Sequence, residues 1–296
     1  MSKAEALAAL SLALQGTDLS VSLCLRNKAE ASVFLGGLSG QPVIVKQFHS
    51  DPQARLARMQ AELDLVAAQM AGGPHGINRL LSTRPALGLA VLEHAGDLRL
   101  SEAIAVAPDR AALMRQAGEW LAGHVGPRRR IETFRPRHWL ERLEAAAPLA
   151  DPPPVRVRAL RHLRQWGRGL AGAPFTRAAT HGDFVSINAM WRAGQIVGVD
   201  VQGESWLPLA RDMARFLVWQ EMTDPAPGPR LWGIAEADLT AFTAAPLLEA
   251  TEAAALLPFF IGLQLLQRLS DMQGDPLALR RGLAALNHWC SAARQA

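Results

Sequence analysis

The stretch "HGDFVSINAMWRAGQIVGVD", residues 181–200, decides how the rest of the chain is read. It sets a histidine, two carboxylates and an asparagine around two short apolar runs. The spacing predicts two short strands around a turn at Arg192, Ala193 and Gly194. Asn188 then opens the first strand and Asp200 closes the second, so their oxygens could share a Mg²⁺. That ion takes carboxylate and amide oxygens together with water and substrate phosphate. Asp183 falls in the loop ahead of the hairpin, where it could accept a proton from a substrate hydroxyl. Other chemistries fit less well. His181 and Asp183 find no convincing further zinc ligands, and the chain contains no G-x-S-x-G. A phosphate loop of the Walker type is excluded, because no Gly-Lys dipeptide occurs.

Lysine usage adds an independent clue. Lysine and arginine together number 31, yet only Lys3, Lys28 and Lys46 are lysines. Where arginine is so strongly preferred, a lysine inside "VIVKQF" marks a place that wants a compact ammonium and not a planar fork. Such a lysine needs a carboxylate partner. Glu62, on the next predicted helix among Met59, Leu63 and Leu65, can supply it.

Working outward, "LSVSLCL" (19–25), "SVFLGGL" and "PVIVKQF" (42–48) read as a strand meander. Ser50, Asp51 and Pro52 announce a helix that stops at Gly72 and Gly73. "RLLSTRP" and "GLAVLEHA" follow as further strands. From about residue 98 helical periodicity takes over, with a Pro-rich break at "DPPP" and the 188–200 hairpin as the exception. The expected architecture is a small sheet-rich lobe (1–93), a join (94–97) and a larger helical lobe (98–296).

Composition agrees with a folded enzyme: 49% of residues are apolar and 20% charged. A net charge of +4 is too small to imply a nucleic-acid partner. The basic run "GPRRRIETFRPRHW" could meet an anionic substrate or polyanion, but reads first as a solvated helix edge or loop. Cys24 and Cys290 have no metal-type spacing, and with Cys24 expected in the core they suggest a reducing, cytoplasmic compartment. The N-terminal "MSKAEALAALSLALQG" superficially resembles a secretion signal. Glu5 interrupts its charged region, however, and Leu7, Leu10 and Leu14 recur at helical spacing, so an amphipathic helix is expected. "AAALLPFFIGLQLLQ" is too short to span a bilayer and contains Pro258 and Gly262, so no membrane segment is expected.

H-G-D-F-x-x-x-N followed by V-G-V-D resembles the catalytic and metal loops of the aminoglycoside phosphotransferase/choline kinase family, relatives of the protein kinases. The resemblance extends over most of the chain and implies an α+β, protein-kinase-like bilobal fold. Its N-lobe would be a small antiparallel sheet with one helix, its C-lobe mainly helical. It further implies ATP and Mg²⁺ as cofactors. Lys46 would hold the α- and β-phosphates and pair with Glu62, Asp183 would be the base, and Asn188 and Asp200 the metal ligands. "RNKAEASVF" stands where the family has its nucleotide-covering loop, without that loop's glycine run. "LEHAG" stands at the hinge, where the backbone of Glu93 and Ala95 would meet adenine. His181 and Asp212, the latter in "RDMARF", would brace the loop. Ile187 and Val201 replace residues more usual in the family.

The implied reaction moves the γ-phosphate to a hydroxyl of a small metabolite: a sugar, an amino alcohol or an aminoglycoside-like molecule. A catalytically weak nucleotide-binding regulatory module is the alternative. A protein kinase is disfavoured by the short run between Asp200 and Asp212, which leaves no activation segment. Around "RRRIETFRPRHWLER" the chain is Arg-rich, with Glu204, Trp206 and Trp139 as candidate pocket residues, which leans toward a neutral or anionic acceptor.

Overall fold

The computed structural model describes residues 1–146, 153–201, 205–271 and 274–294. The chain divides into two compact units, 1–98 with 190–204, and 99–189 with 205–296. The first unit opens with α1 (Lys3–Ala13), β1 (Leu19–Asn27), β2 (Ala31–Leu38), β3 (Gln41–Phe48) and α2 (Pro52–Met70). After these come β4 (Gly76–Ile77), β5 (Leu80–Arg84) and β6 (Leu89–Glu93). Ser2 and Glu5 close a capping box on α1, satisfying two otherwise orphaned backbone donors.

An antiparallel sheet of order β1-β2-β3-β6-β5 forms the body of this unit. Ser39 and Gly40, both at positive φ (50° and 81°), make the two-residue turn between β2 and β3. That geometry matches the right-handed twist of the flanking strands. Period-two alternation then sorts the faces. Val43, Val45, Leu89 and Val91 join Ala6, Leu10, Leu14, Cys24 and Phe34 in one core cluster. Ile44, Lys46, Ala90 and Leu92 take the opposite face, toward α2, which packs on β3 and β6. The N-terminal helix is thus a core element, buried through Ala6, Leu10 and Leu14, with Leu7 only partly covered.

The second unit begins with α3 (Leu100–Val106), α4 (Arg110–Val125), β7 (Arg129–Thr133), α5 (Pro136–Ala146), α6 (Pro154–Leu170) and β8 (Pro174–Thr180). The hairpin β9 (Ala189–Arg192) and β10 (Gln195–Gly198) comes next, and its residues 190–204 belong with the first unit. There β10 runs parallel to β4. The remainder is β11 (Ser205–Pro208), α7 (Leu209–Thr223), β12 (Arg230–Leu231), β13 (Ile234–Ala235), α8 (Glu236–Thr243), α9 (Ala250–Asp271) and α10 (Pro276–Ala292).

Two expectations change here. Only part of the basic run is helix edge or loop: Arg129–Thr133 is a strand in the antiparallel sheet β11-β8-β7, while the residues from Pro136 open α5. The strand's charge is tolerated because Glu132 pairs with both Arg130 (2.7 Å) and Arg177 (3.0 Å). The strand β8, in the polar-looking "FTRAAT", was not anticipated, and Phe175, Thr176, Ala178, Ala179 and Thr180 are all buried in it. Secondly, the apolar run that holds Pro258 and Gly262 is part of a longer helix than the run itself suggests. α9 runs 22 residues, long and apolar enough by length and composition to cross a membrane, but it is mostly buried inside the protein. The carbonyl of Pro258 accepts the indole N–H of Trp289 at 2.8 Å, and Gly262 leaves room for that ring where any Cβ would collide. The "DPPP" break falls partly, and Glu204 wholly, outside the described residues.

Candidate active site

Residues 181–188 are held from below by aromatic packing and from the side by α7. Phe184, fully buried, stacks on Trp120 of α4 and Phe216 of α7, both with centroids at 4.8 Å. Phe216 in turn stacks on Phe242 of α8 at 5.0 Å. This column anchors the residue next to Asp183, leaving Asp183 itself half exposed. His181 is buried beside the same column, 5.9 Å from the rings of Trp120 and His124. Asp212, with no exposure, accepts the backbone N–H of Gly182 at 2.8 Å. Gly182 needs its φ of 80°, a conformation that side chains with a Cβ rarely adopt. Asn188 ends a short 3-10 turn (Ser186–Asn188) just before β9, and not in the strand as expected. Its Nδ2 donates to the Asp183 carbonyl at 2.9 Å.

Two arginines that the sequence reading passed over meet Asp183. Arg215 of α7 donates from Nε to Asp183 Oδ1 at 2.7 Å and adds a second bond from Nη2. Arg268 of α9 has Nη2 3.9 Å from the same oxygen. Arg211, one turn before Arg215, donates to the Gly182 carbonyl and to Asp212 Oδ1, each at 3.3 Å. A signal for Arg215 was present in "RDMARFLVW": Arg211, Arg215 and Trp219 recur every four residues, one stripe of a helix. Trp139 and Trp206 line one cavity of about 610 Å³, with Arg135, Arg142 and Arg177 among its walls.

In the first unit, Lys46 donates to Asp200 Oδ1 at 2.5 Å, with its side chain only 6% exposed. Asp200 lies two residues past β10 at a φ of 65°, a left-handed conformation that aspartate tolerates better than most residues. Arg26 of β1 stands 3.8 Å from its other oxygen. Glu62 is buried on α2, beside Met59, Leu63 and Val66 on the helix's packed face. A buried carboxylate is stable only when paired or hydrogen-bonded. At the turn between β1 and β2, a cavity of about 280 Å³ is lined by Arg26, Lys28, Lys46 and Arg55 among others, a cationic concavity suited to phosphate oxygens.

Glu93 ends β6, and its N–H is taken by the Arg79 carbonyl at 2.8 Å. Its carbonyl is therefore the backbone group it could offer a base. Burial works to raise the Glu93 carboxyl, but hydrogen bonds from Arg192 and Arg79, each at 3.0 Å, hold it below the ordinary range. Ala95 is buried two residues on. Among the described residues no group of three or more His, Cys, Asp or Glu forms a metal cage. A cation here would draw most of its ligands from water and phosphate, which is how Mg²⁺ is commonly held.

Comparison with known proteins places this geometry in a lineage. Several solved structures share the fold at low identity. A thermostable mutant of aminoglycoside phosphotransferase APH(4)-Ia, in ternary complex with AMP-PNP and hygromycin B, aligns with a TM-score of 0.59 at 14% identity, covering 95% of this chain and 97% of its own. The choline kinase LicA from Streptococcus pneumoniae gives 0.57 at 15% identity, covering 97% and 98%. A choline/ethanolamine kinase family protein from Mesorhizobium loti gives 0.58 at 16%, covering 100% of both chains. No curated protein matches the sequence. The model of the phosphotransferase enzyme family APH matches residues 25–241, and the chain belongs to that family of phosphotransferases.

Proposed function

We propose that the protein transfers the γ-phosphate of ATP to a hydroxyl of a small molecule. The observation that carries this reading is Lys46, the one lysine in an otherwise arginine-rich fold that is buried, in contact with Asp200 at 2.5 Å. Phosphoryl transfer asks a protein chiefly for positioning and charge neutralisation. Lys46, oriented by the buried carboxylate of Glu62, would grip the α- and β-phosphates, with Arg26 adding charge beside them. The backbone at Glu93 and Ala95 would meet the adenine. Asn188, whose amide nitrogen serves the Asp183 carbonyl, has its amide oxygen to offer a metal, and Asp200 has its carboxylate. Mg²⁺, when bound, would neutralise the β- and γ-phosphate oxygens. Kinship with the APH(4)-Ia complex holding AMP-PNP favours an adenine nucleotide, and the choline kinases favour a small hydroxylated acceptor.

In the proposed reaction the acceptor oxygen bonds to the γ-phosphorus as the bond to the β–γ bridging oxygen breaks. Its proton passes to Asp183, and ADP departs. Arg215 occupies Asp183 Oδ1, which leaves Oδ2 to face the hydroxyl. His181 and Asp212 would act only by holding the 181–188 loop. Incubation with MgATP and a panel of hydroxylated metabolites tests the reading. Acceptor-dependent ADP release with a phosphorylated product is the expected result. Nucleotide binding without transfer to any member would favour a regulatory nucleotide-binding module instead.

A further inference from the structure

The face that α7 and α9 share near Asp183 is charged where packed helices normally bury apolar side chains. Arg211, Arg215 and Trp219 stand four residues apart on α7, and Gln264, Arg268 and Asp271 occupy one face of α9. The arginine side chains are only 14%, 13% and 10% exposed. Burial first, and then the charge of neighbouring guanidiniums including Arg215, push Arg211 and Arg268 below their ordinary pKa. The acids nearby are already committed: Asp212 to Gly182, Asp271 to Arg268 at 3.4 Å, and Asp183 to Arg215. Meanwhile Arg268 Nε and Trp219 Nε1, both buried atoms, have no hydrogen-bond acceptor among the described residues. The Arg268 guanidinium lies 5.2 Å from the Trp219 ring, so the two spare donors belong to one neighbourhood.

Buried donors without acceptors are costly, and crowded guanidiniums gain from an anion. We infer that the acceptor carries an anionic group, a carboxylate or a phosphate, which Arg215 and Arg268 grip while its hydroxyl meets Asp183. This rests on the phosphotransferase reading and adds the substrate class. A cationic acceptor would meet like charge on both helices, and a neutral one could accept from the donors but would leave the crowded guanidinium charge unanswered.

The test is a nucleotide-free calorimetric titration of the full chain with glycerol 3-phosphate, 3-hydroxybutyrate, glycerol and choline. At least one anionic probe should bind at millimolar concentration in preference to glycerol and choline, and the stronger of the two identifies the anionic group. Arg215→Gln and Arg268→Gln should each weaken that binding by about tenfold or more, the loss expected for a charge-assisted bond. Arg268→Lys, which keeps the charge but not the fork, should lose less. Arg115→Gln, on the exposed side of α4, should change nothing. Circular dichroism checks the fold, and Arg215→Gln carries the test if the buried Arg268 variants do not fold. Anion binding that survives both glutamine substitutions, equal or better binding of glycerol or choline, or no anion binding at all overturns the inference. A parallel MgATP titration separates the claims. MgATP binding without anion binding removes only the inference, whereas anion binding without MgATP binding overturns the kinase reading and, with it, the anion's role as acceptor.

Discussion

Asp183 answers two demands with one carboxylate: it is tied to Arg215 through Oδ1 and half exposed toward solvent. Asn at this position keeps the shape and can still meet the arginine through its amide oxygen, but it cannot take a proton. A positioned general base contributes about 10²–10⁴-fold to rate. Asp183→Asn should therefore bind MgATP nearly as well as wild type and transfer phosphate slower by roughly two orders of magnitude or more. Binding titration beside turnover reads both; joint loss would make Asp183 structural, and unchanged turnover would remove it from the mechanism. Asp200 needs a different substitution, because its φ of 65° would strain alanine. Asn tolerates that region, so Asp200→Asn isolates the charge. It should abolish metal-dependent turnover while leaving the melting temperature close to wild type. Wild-type activity with Mg²⁺ would place the metal elsewhere. These residues could be picked from the sequence because their types, order and spacing sit within twenty consecutive positions. Arg268 could not, and Arg215 showed only as part of a helix-spaced repeat, because an arginine on a helix ordinarily reads as solvated charge until the fold brings α7 and α9 to Asp183.

Elements succeed or fail by what packs beneath them. The column Trp120–Phe184–Phe216–Phe242 joins α4, the 181–188 loop, α7 and α8, so Phe184 holds the loop by stacking on two sides. Phe184→Ala should cost about 3–5 kcal/mol of stability, the usual range for a buried phenylalanine. Chemical denaturation measures it, and a loss below about 1 kcal/mol, the level of a surface change, would show that the column does not anchor the loop. His124, fully buried in the same region, adds a pH dependence. Burial, then the charges of His181 and Arg128, hold its imidazole well below 6.5, against a backbone hydrogen bond with Thr180. The unfolded chain therefore binds a proton there that the folded chain refuses. The resulting stability is full above pH 6.5 and falls as pH drops below it, by up to roughly 1.4 kcal/mol per unit. Denaturation midpoints between pH 7 and pH 5 should show this slope reduced in His124→Gln; an identical slope would assign the acid sensitivity to other groups. The β11-β8-β7 sheet escaped the sequence reading for a related reason. Its strands β7 and β8 carry arginines, β11 is only four residues long, and "FTRAAT" buries threonines and alanines that carry little hydrophobic signal.

At the scale of the whole molecule, the meander, the two-residue turns and the helical periodicity after residue 98 made the architecture readable, since each is a local pattern. The division into units was less so: residues 190–204 follow the second unit's 181–188 loop in sequence but cluster with the first. No local pattern reports such a return of the chain. One unit supplies Lys46, Glu62 and Asp200, the other Asp183 and Asn188. The most direct measurement is a titration of the purified full chain with MgATP, wild type beside Lys46→Ala. Wild type should bind saturably, and Lys46→Ala should keep its fold while binding weaker by about tenfold or more, the loss expected for a charge-assisted contact to phosphate. Absence of any binding by wild type at millimolar MgATP would contradict the phosphotransferase mechanism proposed for this chain.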